Sequence, residues 1–271
     1  MNDSNGSFRC ISFLSDFGSG DETVACCKGV LLQRGISLPL VDISHDVPPF
    51  DIISGGWMLA GAALYLPSGI HLAVVDPGVG TDRSILILES KRGDLFVGPD
   101  NGLLLPAVKR LGGVEKAWKL RPEHFESRQV SPTFHARDIM APVVADLATG
   151  VLPSTLGEGI SEKGLHLYPI AEPARDKERI SGAVARIDTF GTVRTNIPWK
   201  WIDMGKEGGL RISRSWLFSI SLGKTFSDVE LGDLVILEDS WGYLSIAVNR
   251  GKAADVLGFK VGDPISVEYT M

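Results

Sequence analysis

The stretch VVDPGVGTDRS, residues 74–84, ends an apolar run on a carboxylate, Asp76. It turns through Pro77 and two glycines and places Arg83 seven residues after the acid. One reading is a turn held by an ion pair. The other is a carboxylate and a guanidinium that act together on a bound molecule. Asp16 follows the apolar ISFLS in the same way, and Asp42 lies within LVDIS. A lone strand-end aspartate is an ordinary turn former. Several on one edge of an open parallel sheet line the side where ligands bind. His135, in SPTFHARD, precedes a helical segment and sits between Pro132 and Arg137-Asp138. An imidazole there can serve as acid, base or hydrogen-bond donor near neutrality. His45, in ISHDVPPFD, fits packing or turn bonding as well as function, and His71, His124 and His166 read as structural.

The loop SDFGSGDE adds Asp21 to the acids. Ser19 and Glu22 match the capping-box spacing at a helix start, which leaves Asp16 and Asp21 without a local reason. Free N–H groups at that helix start suit a carboxylate or phosphate. There is no Walker sequence and no G-x-G-x-x-G, so no nucleotide phosphate site is inferred. Asp16, Asp42, His45, Asp46 and His135 are residue types that suit a hard divalent cation. Their spacing matches no closed ligand set, and no metal is expected.

These side chains need a frame. CISFLS (10–15), LPLVDIS (38–44) and IHLAVVD (70–76) read as strands, with helical segments at TVACCKGVLLQRG and DIISGGWMLAGAALYL between them. SILILES and DLFVGP read as a hairpin around KRGD. GLLLPAVKRLGG and RDIMAPVVADLATG end in glycine, as helices commonly do. Near-continuous apolar strands alternating with helices predict a mostly parallel sheet covered on both faces. AEPARDKER (171–179) is polar and contains proline. Short strands and turns follow it, from SGAVARID to DPISVEYT, and predict a small all-β barrel. The expected division is an α/β domain over 8–172, a linker at 173–179 and a β-barrel domain over 180–271.

The 271-residue chain is 44% hydrophobic and 22% charged, with a net charge of −6. That is a globular balance. Without a basic block, nucleic acid and anionic membranes are not expected as partners. Three cysteines, Cys10, Cys26 and Cys27, make neither a disulfide framework nor a zinc set. The start is polar and the longest apolar run is too short to span a bilayer. A cytoplasmic protein is expected.

Taken together, ISFLSDFGSGDETVACCKGV, VDISHDVPPFD, VVDPGVGTDR, GPDNGLL, PTFHARDIMAPVVADLATG, IDTFGTVRTNI and SWGYLSIAVNRGKAADVLG resemble one family in the same order. It is the S-adenosyl-L-methionine (SAM) hydroxide adenosyltransferases, or SAM hydrolases, relatives of the SAM-dependent fluorinase and chlorinase. The resemblance implies an α/β domain followed by a β-barrel, assembled as a homotrimer with sites between subunits. It implies hydrolysis of SAM to adenosine and L-methionine, with SAM as substrate and no cofactor. The family's hydrolase set falls on Asp76, Arg83 and His135. The halogenases replace the acid and lack the arginine, and the fluorinase serine that holds halide is Ala136 here. A SAM halogenase and a SAM binder without turnover are the alternatives.

Substrate-binding positions carry over as Asp16 on the ribose hydroxyls, Asp21 and Thr23 in the substrate loop, and Phe50 on the ribose. In the second half they are Asp188 on the methionine ammonium, Phe190 as a stacking face, Ser240 at the methionyl end and Arg250 at the adenine. Two positions depart from the pattern. An asparagine that contacts adenine is Thr192 here, which shortens the reach to a purine. An arginine of the fluorinase is Trp241. A carboxylate paired with a guanidinium is a weak base, so the division of labour among Asp76, Arg83 and His135 stays open at this level.

Overall fold

The computed structural model describes residues 8–121, 123, 129–176, 179–203, 210–213 and 217–269. His124 lies outside the described residues, as do positions 177 and 178 of the expected linker. The chain divides into two compact units, up to Tyr168 and from Pro169 onward.

The first unit runs β1 (Ile11–Ser15), α1 (Thr23–Gln33), β2 (Leu40–Ser44), α2 (Ile52–Ala63), β3 (Ile70–Val74), β4 (Ile85–Ser90), β5 (Leu95–Pro99), α3 (Leu105–Arg110) and β6 (Val114–Leu120). A π turn (Ala136–Met140) then leads into α4 (Ala141–Ala148), α5 (Pro153–Leu156) and β7 (Gly157–Ile160). One seven-stranded sheet has the order β2-β1-β3-β5-β4-β6-β7. The pairings β1–β2, β1–β3 and β3–β5 are parallel. Those of β4 with β5 and β6, and of β6 with β7, are antiparallel. The sheet is therefore mixed, half parallel and half antiparallel, rather than mostly parallel. The SILILES–DLFVGP hairpin is the cause, because it reverses direction and seeds an antiparallel half.

The central strands β1, β3, β5 and β4 are largely apolar and buried because both faces are covered, and successive side chains alternate between the faces. Ile70, Leu72 and Val74 pack with Leu31 of α1, Met140 of the π turn and Val144 of α4. Ala73 and Val75 pack on the other face with Leu59, Leu104 and Val108. Continued past the strand, this alternation assigns Asp76 to the α4 side. Gly98 lets β5 run close to β3, since a Cβ there would lie 2.4 Å from the Ala73 carbonyl.

The second unit holds β8 (Ala174–Arg175), β9 (Arg179–Ile187), β10 (Val193–Pro198), β11 (Leu210–Ser213), β12 (Leu217–Leu222), β13 (Leu234–Glu238), β14 (Tyr243–Val248), α6 (Ala253–Leu257) and β15 (Pro264–Tyr269). They form one eight-stranded sheet in the order β10-β14-β13-β12-β11-β15-β9-β8. β10 also pairs with β9, so the ladder returns on itself. Ile180, Val184, Val193, Ile236, Ile246 and Val267 share its core. Among the described residues, no helix is long and apolar enough to cross a membrane.

Candidate active site

The parallel register sets Ser15 of β1 beside Val74 of β3. Asp16 and Asp76 thus leave the same edge of the sheet from neighbouring strands. Asn101, in the loop after β5, fixes the end of β3: its Nδ2 donates to the Val75 carbonyl at 2.8 Å, and its Oδ1 accepts from Leu103 N. Beyond Asp76 the chain closes a turn through Val79 N to the Asp76 carbonyl, and through the N–H and hydroxyl of Thr81 to the Gly78 carbonyl. That turn carries Arg83 back over the carboxylate. Its Nε donates to both oxygens of Asp76 at 2.9 and 2.8 Å, and a terminal nitrogen lies 2.5 Å from Oδ2. The acid is 6% exposed and the arginine 10%, so solvent screens this pair little.

Arg83 also reaches His135, with NH2 to Nδ1 at 3.0 Å. The three side chains form one connected unit. Gly80 joins their two loops. Its φ is +78° and a Cβ there would lie 2.6 Å from the Pro132 carbonyl. Asp138 secures the second loop by accepting from Ser131 N at 2.9 Å, while Arg137 binds both its oxygens. Those hydrogen bonds hold the Asp138 carboxyl below its usual range. His135 caps the π turn, a widened turn frequent at functional sites. Pro142, which has no N–H, cannot close the ordinary helical bond to the Asp138 carbonyl.

A guanidinium can only donate. Nδ1 of His135 must therefore accept, and the neutral ring carries its proton on Nε2. Protonating Nδ1 would set two donors against each other. Burial first, and then the Arg83 charge, hold His135 below its ordinary pKa, outweighing the Asp76 and Asp138 carboxylates. The site thus presents an Nε2–H donor beside a carboxylate acceptor.

The other first-unit positions lie in the loops after β1 and β2 or at the start of α1. Asp16 accepts from Phe50 N at 2.9 Å. Phe50 is 69% exposed and has φ +66°. Asp21 takes the Thr23 N–H at 2.9 Å and also the Thr23 hydroxyl, and these bonds hold it below its usual range. The Ser19–Glu22 capping box does not form. Helix α1 starts at Thr23, with Glu22 at the cap position making no side-chain capping bond. Ser19 N donates to Asp46 instead. His45 spends one ring nitrogen on Ser15 and the other on Asp42, which also holds Lys28. Among the described residues, no group of three or more His, Cys, Asp or Glu side chains could hold a metal ion.

The remaining expected positions lie in the second unit. Asp188 binds Phe190 N and Thr192 N through Oδ1, each at 3.0 Å. Its Oδ2 faces Arg194. Phe190 is 78% exposed, whereas Thr192 is buried. Ser240 and Arg250 are exposed. Arg250 has φ +57°, and it and Phe50 are the non-glycine residues with positive φ among those described. Such strain is typical of ligand-binding positions.

Residue patterning missed Asn101, Gly80, Arg194 and Asp239. The first three stood inside stretches already quoted. Gly80's glycine in a P-G-x-G turn was the available signal, whereas nothing local marked Arg194 or Asp239.

Models of the SAM hydroxide adenosyltransferase N-terminal and C-terminal domains match residues 11–157 and 182–266. The chain belongs to the SAM hydroxide adenosyltransferase family. Within the family it is 40% identical to a protein of Salinispora tropica named (R)-S-adenosyl-L-methionine hydrolase, over 95% of this chain and 97% of that one. A protein of the same name from Thermus thermophilus is 36% identical, over 95% and 98%. A fluorinase of Nocardia brasiliensis is 29% identical, over 99% of each. A crystal structure of an uncharacterized conserved protein from Thermotoga maritima superposes with a TM-score of 0.85 at 35% identity, covering 95% of this chain and 99% of that one.

Proposed function

We propose that the protein hydrolyses SAM to adenosine and L-methionine by attack of water on the ribose C5′. The observation that carries this is the Asp76–Arg83–His135 unit, linked by hydrogen bonds in a chain of this family. The sulfonium makes neutral methionine the leaving group, so the reaction needs an aligned oxygen and a place for one proton. The Nε2–H of His135 donates to the water oxygen and holds it in line with the C–S bond. An O–H of that water points to Asp76, which takes up the proton as the C–O bond forms and later releases it to solvent. Arg83 keeps both partners in place by binding Asp76 through two nitrogens and fixing the His135 tautomer. Alignment of this kind supplies roughly 7–11 kcal/mol in favourable cases. A placed base adds about 10² to 10⁴ in rate.

Asp16 takes the ribose hydroxyls, Phe50 packs on the ribose, and Asp21 and Thr23 line the substrate loop. Asp188, Phe190, Thr192, Ser240 and Arg250 receive the methionyl and adenine ends. The resemblance supports a homotrimer with sites between subunits and no cofactor, and the acidic charge balance without a basic block supports a cytoplasmic enzyme with no nucleic-acid or membrane partner. The returning ladder of the second unit supports a barrel. Halide attack is the weaker reading, because a buried carboxylate at Asp76 repels an anion. The test is incubation with SAM and chromatography of the products. Adenosine and methionine in equal amounts are expected. No adenosine, or a 5′-halo nucleoside in its place, contradicts the proposal.

A further inference from the structure

In the second unit, Asp188 and Asp239 are built alike. Each gives one oxygen to two backbone N–H groups of its own turn: Phe190 and Thr192 for Asp188, Trp241 and Tyr243 for Asp239. Each turns its other oxygen to Arg194, at 3.3 Å and 3.5 Å. Charge-assisted bonds are ordinarily about 2.7–2.9 Å, so Arg194 is held loosely between two acids. Trp241 covers its face, with the guanidinium carbon 5.2 Å from the ring centroid. That leaves the edge of the fork for a ligand.

Arg194 also stands directly opposite Arg186 across β9 and β10. Directly opposed residues project from the same face of an antiparallel pair, and like charges there repel. The Arg186 guanidinium makes no hydrogen bond or ion pair among the described residues. Burial first, and then the Arg194 charge, work against its protonated form and outweigh the nearby Asp188 charge, which favours it. Two cations and two carboxylates occupy one patch, and both carboxylates bond Arg194 while neither bonds the Arg186 guanidinium directly. The complementary ligand carries a carboxylate and an ammonium a few ångströms apart, which is an α-amino acid.

We propose that Arg194 and Arg186, with Asp188 and Asp239, form a receptor for the zwitterionic amino-acid head of SAM, in which the guanidiniums take the carboxylate. This rests on the SAM reading above and adds the residues that select for the carboxylate. It also explains how Trp241 can stand where the fluorinase has arginine: the cation comes from β10, and the indole backs it.

The test is calorimetric titration of the His135→Ala protein with SAM and with decarboxylated SAM, which keeps the sulfonium and ammonium but lacks the carboxylate. The His135→Ala parent binds SAM about tenfold or more tightly than the decarboxylated compound, in line with the loss of a charge-assisted pair. Adding Arg194→Met brings that ratio close to one, and Arg186→Met lowers it part of the way. Arg194→Lys keeps part of the preference. A ratio unchanged by Arg194→Met, or equal weakening of both compounds, overturns the proposal. If Arg194→Met does not fold, Arg194→Lys and Arg186→Met decide, and a full ratio in both overturns it. If the parent binds neither compound, the SAM reading falls and this proposal with it.

Discussion

Gly80→Ala tests whether the two loops of the active site are registered by a single close contact. The added Cβ would sit 2.6 Å from the Pro132 carbonyl, an obstacle made of backbone that cannot rotate away. Ordinary contact begins near 3.4 Å, so the loops must part by about 0.8 Å. The Arg83–His135 bond is 3.0 Å and spans those loops. Opened by that amount it lies beyond useful hydrogen-bond range. A misplacement of about 1 Å can cost on the order of 10²-fold in rate. An alanine at φ +78° adds roughly 1–2 kcal/mol of backbone strain. The expected result is a kcat 10- to 100-fold lower by about the first estimate, a KM for SAM near that of the parent, and a melting temperature lower by a few degrees. Gly80→Asn separates the two effects, since asparagine tolerates the left-handed region but keeps the Cβ. It should recover stability without recovering kcat. The assay is adenosine release by chromatography, beside a thermal melt. A folded Gly80→Ala protein with unchanged kcat, or an Asn variant with full activity, refutes the reasoning.

Asp76→Ala and His135→Ala should each lower turnover about 10²-fold or more while weakening SAM binding far less; comparable losses in both, by kinetics and calorimetry, contradict their assigned roles. Phe50→Gly relieves left-handed strain at a residue that is 69% exposed, so its melting temperature should not fall while its KM for SAM rises. Asp94 is fully buried and accepts from Arg92 and His71. Burial opposes its charge, but those bonds win and hold the carboxyl far below its ordinary 3.8. Its stabilisation is present above that value and lost as pH falls below it. Asp94→Asn should cost about 3–5 kcal/mol at neutral pH and flatten the acid limb of denaturant stability measured from pH 5 downward; an unchanged limb counts against the linkage.

The positions of Asp16 and Asp76 were legible because apolar runs ending on acids mark the carboxyl ends of strands. Helices α1 and α2 were legible from their spacing. Strand direction was legible only in part. The hairpin reading marked β4 and β5 as antiparallel, but nothing in the half-exposed β6 or in β7 showed that they extend the antiparallel half. The Ser19–Glu22 pattern misled because Asp46 takes the Ser19 N–H that Glu22 would have accepted, and the helix starts later, at Thr23. The π turn depends on where Pro142 removes a donor, and periodicity over so few residues does not show it. Arg194 and Asp239 were invisible because their pairing spans 45 residues and joins separate strands. The resemblance named Asp188 but could not show that two arginines and a second acid stand with it.

The central claim is that Asp76, Arg83 and His135 direct a water molecule to C5′. Incubation with SAM in ¹⁸O-water, followed by mass analysis of the adenosine, tests it most directly. The account predicts one ¹⁸O at the 5′ oxygen of essentially every adenosine formed. Adenosine without the label contradicts it.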